Sequence, residues 1–356
     1  MNSSENWQMN LFTFPYWFII DKINLNRIVS ITIEECEWKF YPPYRTSPAN
    51  ELFTPQPQEA LFLEGGMKRI NPNFKIPKVS IYPLFNENGI GISAFQAEEN
   101  ENWNINRKDR KDIPVDTIRV DIKSNKKLNV LKYFRKLMEI LRVYTNQWWI
   151  GHLPYLLDNI SIAQTVDQKG NSTSAPPTIW TPSVFVSSFN EKIIDLDIWI
   201  AALNDLALNV EPLIYKSTLL DSMYYTSKGD TRRTILDIAQ TLDTAVDINF
   251  LRIWNREKMG TPKNYSRGAF IKEIPPRTGT TFNSKTNIPL LISHITSKIV
   301  NRSFESEHLD DFLVIEEFWD KKRNPVSHGA NLSLNGTELS NYIKCVENCL
   351  NWLEGI

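Results

Sequence analysis

Residues 309–339 read LDDFLVIEEFWDKKRNPVSHGANLSLNGTEL. In the first part Phe312, Leu313, Ile315 and Trp319 recur at helical spacing, which predicts a helix over 309–322. Pro325 should end it within a residue or two, because its ring clashes with a continuing helical backbone and removes a donor. Downstream, Asn335 with Glu338 three residues on has the pattern of a capping box. A final helix is therefore expected from Thr337 to Leu353, with Leu339, Tyr342, Ile343, Val346, Leu350 and Leu353 on its apolar face. Working backwards, a long helix is predicted from Thr231 to about Lys258, with Asp230 or Thr231 as N-cap and Gly260 and Pro262 as its stop. Its stripe is Ile235, Ile238, Leu242, Ala245, Val246, Phe250 and Ile253, and Leu291, Ile295 and Ile299 mark a shorter helix over 289–300. Residues 220–356 thus read as a helical bundle of roughly four helices.

The first third of the chain has a different period. Between Leu11 and about Asp121 the apolar residues come in short β-branched or aromatic runs at 12–20, 28–33, 79–82, 90–95 and 118–122, separated by turn-forming clusters such as Tyr41, Pro42 and Pro43. Ile118, Val120 and Ile122 alternate with Arg119, Asp121 and Lys123, the mark of a half-buried strand. From Lys126 onward Leu128, Leu131, Phe134, Leu137, Met138, Leu141 and Tyr144 fall three and four apart, and a second helical stretch is plausible over 193–209. Between them DQKGNSTSAPPTIWTP, residues 167–182, reads as an exposed loop. The fold class is therefore α+β. Its parts are a β-rich N-terminal domain over 1–125, a helical middle region over 126–219, and the C-terminal bundle.

Composition narrows the function classes. The 356 residues, 42% hydrophobic and 23% charged, exclude collagen-like, disordered and polytopic membrane proteins. Forty basic against 41 acidic residues exclude a uniformly basic nucleic-acid binder, though not a local patch. Three cysteines, Cys36, Cys345 and Cys349, are too few for a disulfide scaffold, which favours a reducing compartment and makes the cytoplasm the expected location. Cys345 and Cys349 lack further Cys or His to complete a ligand set, so neither a metal nor another cofactor is expected. Met1–Asn10 has no Lys or Arg to begin an export signal, and the apolar run at 11–20 contains Pro15 and is too short to span a bilayer, so no membrane partner is expected. Without GxxxxGK[ST], HExxH or GxSxG, nucleotide hydrolysis, zinc proteolysis and lipase chemistry lack support.

The chemistry-bearing residues stand between the last two helices: Arg323, Asn324 and His328, near one helix terminus. An arginine offers a permanent cationic fork for phosphate, and a histidine exchanges protons near neutral pH. Together they suit attack by a ribose 2′-hydroxyl on its own phosphodiester, which needs proton transfer and charge stabilisation but no metal. The bland alternative makes Arg323 a cation at a helix C-terminus and His328 a turn residue.

A penultimate helix ending in Arg323-Asn324, four residues from Arg to His328-Gly329, and a capped final helix resemble the HEPN domain (higher eukaryotes and prokaryotes nucleotide-binding), whose motif is Arg, four to six residues, His, commonly with Asn after the Arg. The resemblance covers roughly residues 220–356 and leaves the first 210 unassigned. It implies a metal-independent endoribonuclease in which His328 is general base or acid, Arg323 binds the scissile phosphate, and Asn324 positions the loop or a phosphate oxygen. It further implies products ending in a 2′,3′-cyclic phosphate, a composite site in a homodimer, and a regulated bacterial toxin or antiphage (abortive-infection) effector held by an antitoxin or sensor protein. The family tends to carry a polar residue on its long early helix facing the motif, and here Asp243 and Asp247 are equal candidates.

RNA as partner has a second support. Ten basic residues lie between Arg252 and Arg302 against Glu257 and Glu273, an excess of eight. Lys258, Lys263, Arg267, Lys272, Arg277 and Lys285 fall within or beside a Gly/Pro/Thr/Asn-rich insert over 260–287 that could follow a phosphate backbone. Arg302 and His308 also satisfy the loose motif spacing, but Glu305 and Glu307 beside them would repel a phosphate, so 323–328 is preferred. A non-catalytic RNA- or protein-binding module and a purely structural scaffold are the competing readings.

Overall fold

The computed structural model describes residues 7–21, 25, 27–43, 61–64, 67–70, 112–124, 128–150, 163–166, 191–256 and 287–356. The chain is α+β, and it divides into two compact units, Met1–Glu211 and Pro212–Ile356. The helices expected in a separate middle region are thereby shared out: those before residue 211 lie in the unit of the sheet, and one at 214–227 in the C-terminal bundle.

In the first unit β1 (Trp7–Asp21), β2 (Val29–Ile33), β3 (Cys36–Phe40), β6 (Asp112–Lys123) and β7 (Ala163–Val166) form an antiparallel sheet in the order β2-β3-β6-β1-β7, while β4 (Leu61–Glu64) and β5 (Met67–Ile70) pair as a hairpin. The long β1–β6 pair runs from Trp7 opposite Lys123 to Asp21 opposite Asp112, with its register shifting between Thr13 and Phe18 around Pro15, which has no ladder donor. The alternation in β6 is real: Ile118, Val120 and Ile122 are buried. They share a core with Phe12, Phe40, Phe134, Leu137 and Leu141. The last three of these are residues of α1 (Val130–Thr145), whose Phe134 stacks on Phe12. Strand β3 was not legible beforehand. It follows β2 through a two-residue turn at Glu34 and Glu35, both at positive φ (48° and 65°), where a reader looks for Asn-Gly. The Tyr133 hydroxyl donates to Glu34 and helps hold that turn. Strand β7 falls in the middle region expected to be helical, a correction to that expectation; expected strands at 79–82 and 90–95 and the loop at 167–182 lie outside the described residues.

Beyond β7 the edge of β1 is closed by other means. Ile194, just ahead of α2 (Leu196–Ala207), donates its N–H to the Ile19 carbonyl and accepts from Asp21 N–H, both at 2.9 Å. The fully buried Gln147 side chain accepts from Ile19 N–H (2.8 Å) and donates to the carbonyls of Ile19 (3.0 Å) and Lys192 (2.9 Å). One amide thus does the hydrogen bonding of a missing strand residue.

The second unit holds α3 (Ile214–Ser227), α4 (Thr231–Arg256), α5 (288–300), α6 (Phe304–Glu307), α7 (309–327) and α8 (Gly336–Glu354). All seven residues of the α4 stripe are fully buried, and Asp230 caps the helix by accepting from Arg233 N–H at 3.0 Å. Around α4 pack α3, α7 and α8. Helix α3 escaped the sequence reading because its buried face includes Thr218 and Ser222, whose hydroxyls bond back to the carbonyls of Ile214 and Leu219, while Ile214 is exposed. Helix α8 opens on the expected capping box, with Asn335 and Glu338 exchanging bonds of 2.9 and 3.0 Å. At its other end Arg252, Arg256 and Arg302 donate to carbonyls of residues 353–356, so three of the ten basic residues counted above serve the bundle itself.

Helix α7 stops two residues after Pro325 but outruns its expected end at Lys322. It continues to Ser327 because the turn over Phe318–Arg323 is widened: Asn324 N–H bonds the Trp319 carbonyl five residues back. An extra residue in the turn makes room for the ring that an α-helical turn would press against a carbonyl. No helix among the described residues is long and apolar enough to cross a membrane.

Candidate functional site

Three constraints set the end of α7. Val326 is fully buried and Phe318 and Trp319 nearly so, which fixes the rotation of the helix on the bundle. Gly329, at φ +92°, donates to the Val326 carbonyl (3.0 Å), and Ala330 N–H bonds the Pro325 carbonyl (3.0 Å). This paired closure is the Schellman form, and it makes His328 the last residue before the reversal. His328 is exposed, on the side of the helix away from Val326.

Arg323 is half-buried. Its guanidinium lies over the Trp319 ring, 4.8 Å from the centroid, and its Nη1 donates to Asn324 Oδ1 at 3.1 Å. Asn324 and His328 are four residues apart and so are neighbours on the helix surface. The guanidinium thus rests on the side chain of the next residue, and His328 follows one helical turn after that residue. Among the described residues no hydrogen bond joins Arg323 directly to His328. Lys321, Lys322 and Arg323 put three cations near the carbonyl end of α7, where the helix dipole favours them. Trp319 belongs to the site as well, and its place four residues before Arg323 is a readable signal for a cation resting on an indole.

Helix α4, carrying Asp243 and Asp247, packs against the segment 318–327. Both aspartates are half-buried, yet among the described residues neither bonds Arg323 or His328, so the packing does not choose between them. Lys258, Lys263, Arg267, Lys272, Arg277 and Lys285 lie outside the described residues.

The second Arg–His pair is not placed as a phosphate site. Arg302 makes two bonds to the Glu307 carboxylate (2.9 and 2.6 Å) and one to the Gly355 carbonyl (3.2 Å), and His308 stacks on Phe304. Bonding to Arg302 and to the Trp352 indole holds the Glu307 carboxyl below its ordinary range. The cysteines are free and buried. Burial, with Asp311 close by, pushes the Cys345 thiol up to about 12, and burial raises Cys349 as well, so neither is a thiolate nucleophile near neutral pH. Among the described residues no group of three or more His, Cys, Asp or Glu is placed to hold a metal ion. Compared with protein-family models, curated proteins and solved structures, the chain matches none.

Proposed function

We propose that the chain is a metal-independent endoribonuclease whose reacting groups are His328, Arg323 and Asn324. An imidazole takes the proton of a ribose 2′-hydroxyl as its oxygen attacks the adjacent phosphorus. The bond to the 5′-oxygen breaks and that oxygen is protonated, leaving a 2′,3′-cyclic phosphate and a 5′-hydroxyl. Arg323 offsets charge on the phosphoryl oxygens, and Asn324 orients the guanidinium. The observation carrying this reading is the exposed His328 on the same helix end as an amide that already holds Arg323. Because no hydrogen bond joins Arg323 to His328 within the described residues of one chain, a second copy facing this helix end would bring the groups of two motifs together, in keeping with a homodimer. A toxin or antiphage effector, restrained by an antitoxin or sensor until triggered, is the biological role this chemistry fits.

The test is cleavage of end-labelled RNA in EDTA. Wild type should cut and leave cyclic phosphate ends, whereas His328→Ala and Arg323→Ala, folded by circular dichroism, should lose about 100-fold or more. The competing reading, a bundle that binds RNA or protein without cutting, draws on Arg323's own partners: a guanidinium engaged by Trp319 and Asn324 is also well placed for a static role. RNA binding by wild type and both variants alike, with no product under any condition including a co-expressed trigger, would favour it.

A further inference from the structure

The C-terminal unit carries a pocket of about 440 Å³, lined by Arg302, His308, Asn348, Asn351, Trp352 and Gly355, which plays no part in the proposed cleavage. Its volume falls within the range of small-molecule sites. Its charges are already paired: Glu307 takes two of the Arg302 hydrogen bonds, and the Gly355 carbonyl takes a third. Asp310 and Asp311 stand at the start of α7 nearby, so the pocket offers no net positive field for a phosphate. What remains unengaged is directional. Asn348 Nδ2 donates to Asp311 at 2.8 Å, which fixes the amide and leaves its carbonyl oxygen as an acceptor. Asn351 is exposed on the same helix, three residues on, and adds a second amide. His308 is exposed and has Phe304 stacked against one ring face at a centroid distance of 5.0 Å, which backs the imidazole on that side. Two side-chain amides beside a braced aromatic ring match the edges and faces of a nucleobase, since carboxamides pair with base donors and acceptors and an aromatic plane supports stacking.

We infer that this pocket binds a single nucleobase, held at its edge by Asn348 and Asn351 and stacked on His308. The base could belong to a free nucleoside or to an RNA strand, and only the second source rests on the ribonuclease reading. The test is calorimetric titration of the full-length chain with each of the four nucleosides, and of the His328→Ala protein with eight-nucleotide RNAs. Saturable binding of at least one base is expected, with Asn351→Ala weakening it about fivefold or more, as for loss of a hydrogen bond. Because Asn351 is exposed, this variant should fold normally. His308→Phe, which keeps a planar ring, should retain more binding than His308→Ala. Binding of nucleosides alone assigns the pocket to a free ligand, and binding of RNA alone assigns it to a strand. No binding of any base in either form, or affinity unchanged in Asn351→Ala and His308→Ala, overturns the inference. Neither result bears on cutting, which is read separately from products in EDTA.

Discussion

Gly329 is the residue whose replacement most directly tests how the helix end is held. At φ +92° it occupies a conformation that an L side chain resists, yet an added Cβ would meet no atom within 4 Å. Steric collision therefore contributes nothing, and the whole cost of Gly329→Ala is backbone strain, about 1–2 kcal/mol. Gly336 supplies the control. A Cβ there also meets nothing within 4 Å, but the residue opens α8 without a positive φ, so Gly336→Ala should be neutral or stabilise by up to about 1 kcal/mol. The same change at two open positions seven residues apart should thus differ by about 2 kcal/mol in urea unfolding followed by tryptophan fluorescence at unchanged m-value. If the strained variant relaxes by unwinding the turn, His328 loses its place, and under the proposed ribonuclease function RNA cutting should fall as well. Equal unfolding free energies for the two variants, within about 0.5 kcal/mol, would refute the claim that φ at Gly329 defines this helix end.

In the first unit, Gln147→Leu keeps bulk but removes three hydrogen bonds, leaving Ile19 N–H without its amide partner; a loss of about 3 kcal/mol is expected in urea unfolding, and a loss under about 1 would show that water replaces the amide. In the bundle, burial and the charges of Asp221 and Asp230 outweigh Arg233 and raise the Asp237 carboxyl to about 6. A carboxyl raised in the folded state binds its proton more tightly there, so its contribution to stability is full below about pH 4 and disappears as pH rises through about 6. Asp237→Asn should accordingly unfold at higher urea than wild type at pH 7 and at nearly the same urea at pH 4. A difference that does not change with pH would rule out titration of this residue as the cause.

The legible parts of the fold are those whose local signal and burial agree. The α4 stripe, the α8 capping box and the alternation of Ile118, Val120 and Ile122 were all readable because side-chain period and solvent exposure coincide there. Strand β3 was not, because its turn is made by two glutamates held at positive φ by the fold, one of them bonded to Tyr133 from a helix nearly 100 residues on. Helix α3 was missed because Thr218 and Ser222 satisfy their hydroxyls locally and are then free to be buried. At the candidate site the identities Arg323, Asn324 and His328 and the four-residue spacing of Trp319 and Arg323 are plain in sequence, but the run of α7 through Pro325 is not.

Sequence by itself determined where the apolar faces lie and which residue types stand at the end of α7, since both follow from local spacing and side-chain chemistry. Only the tertiary structure decided what closes the edge of β1, how the turn before Pro325 widens, and that Arg302 reaches the Gly355 carbonyl at the far end of α8. Those outcomes depend on partners distant in the chain or on the relief of backbone clashes by packing, and no local pattern encodes them.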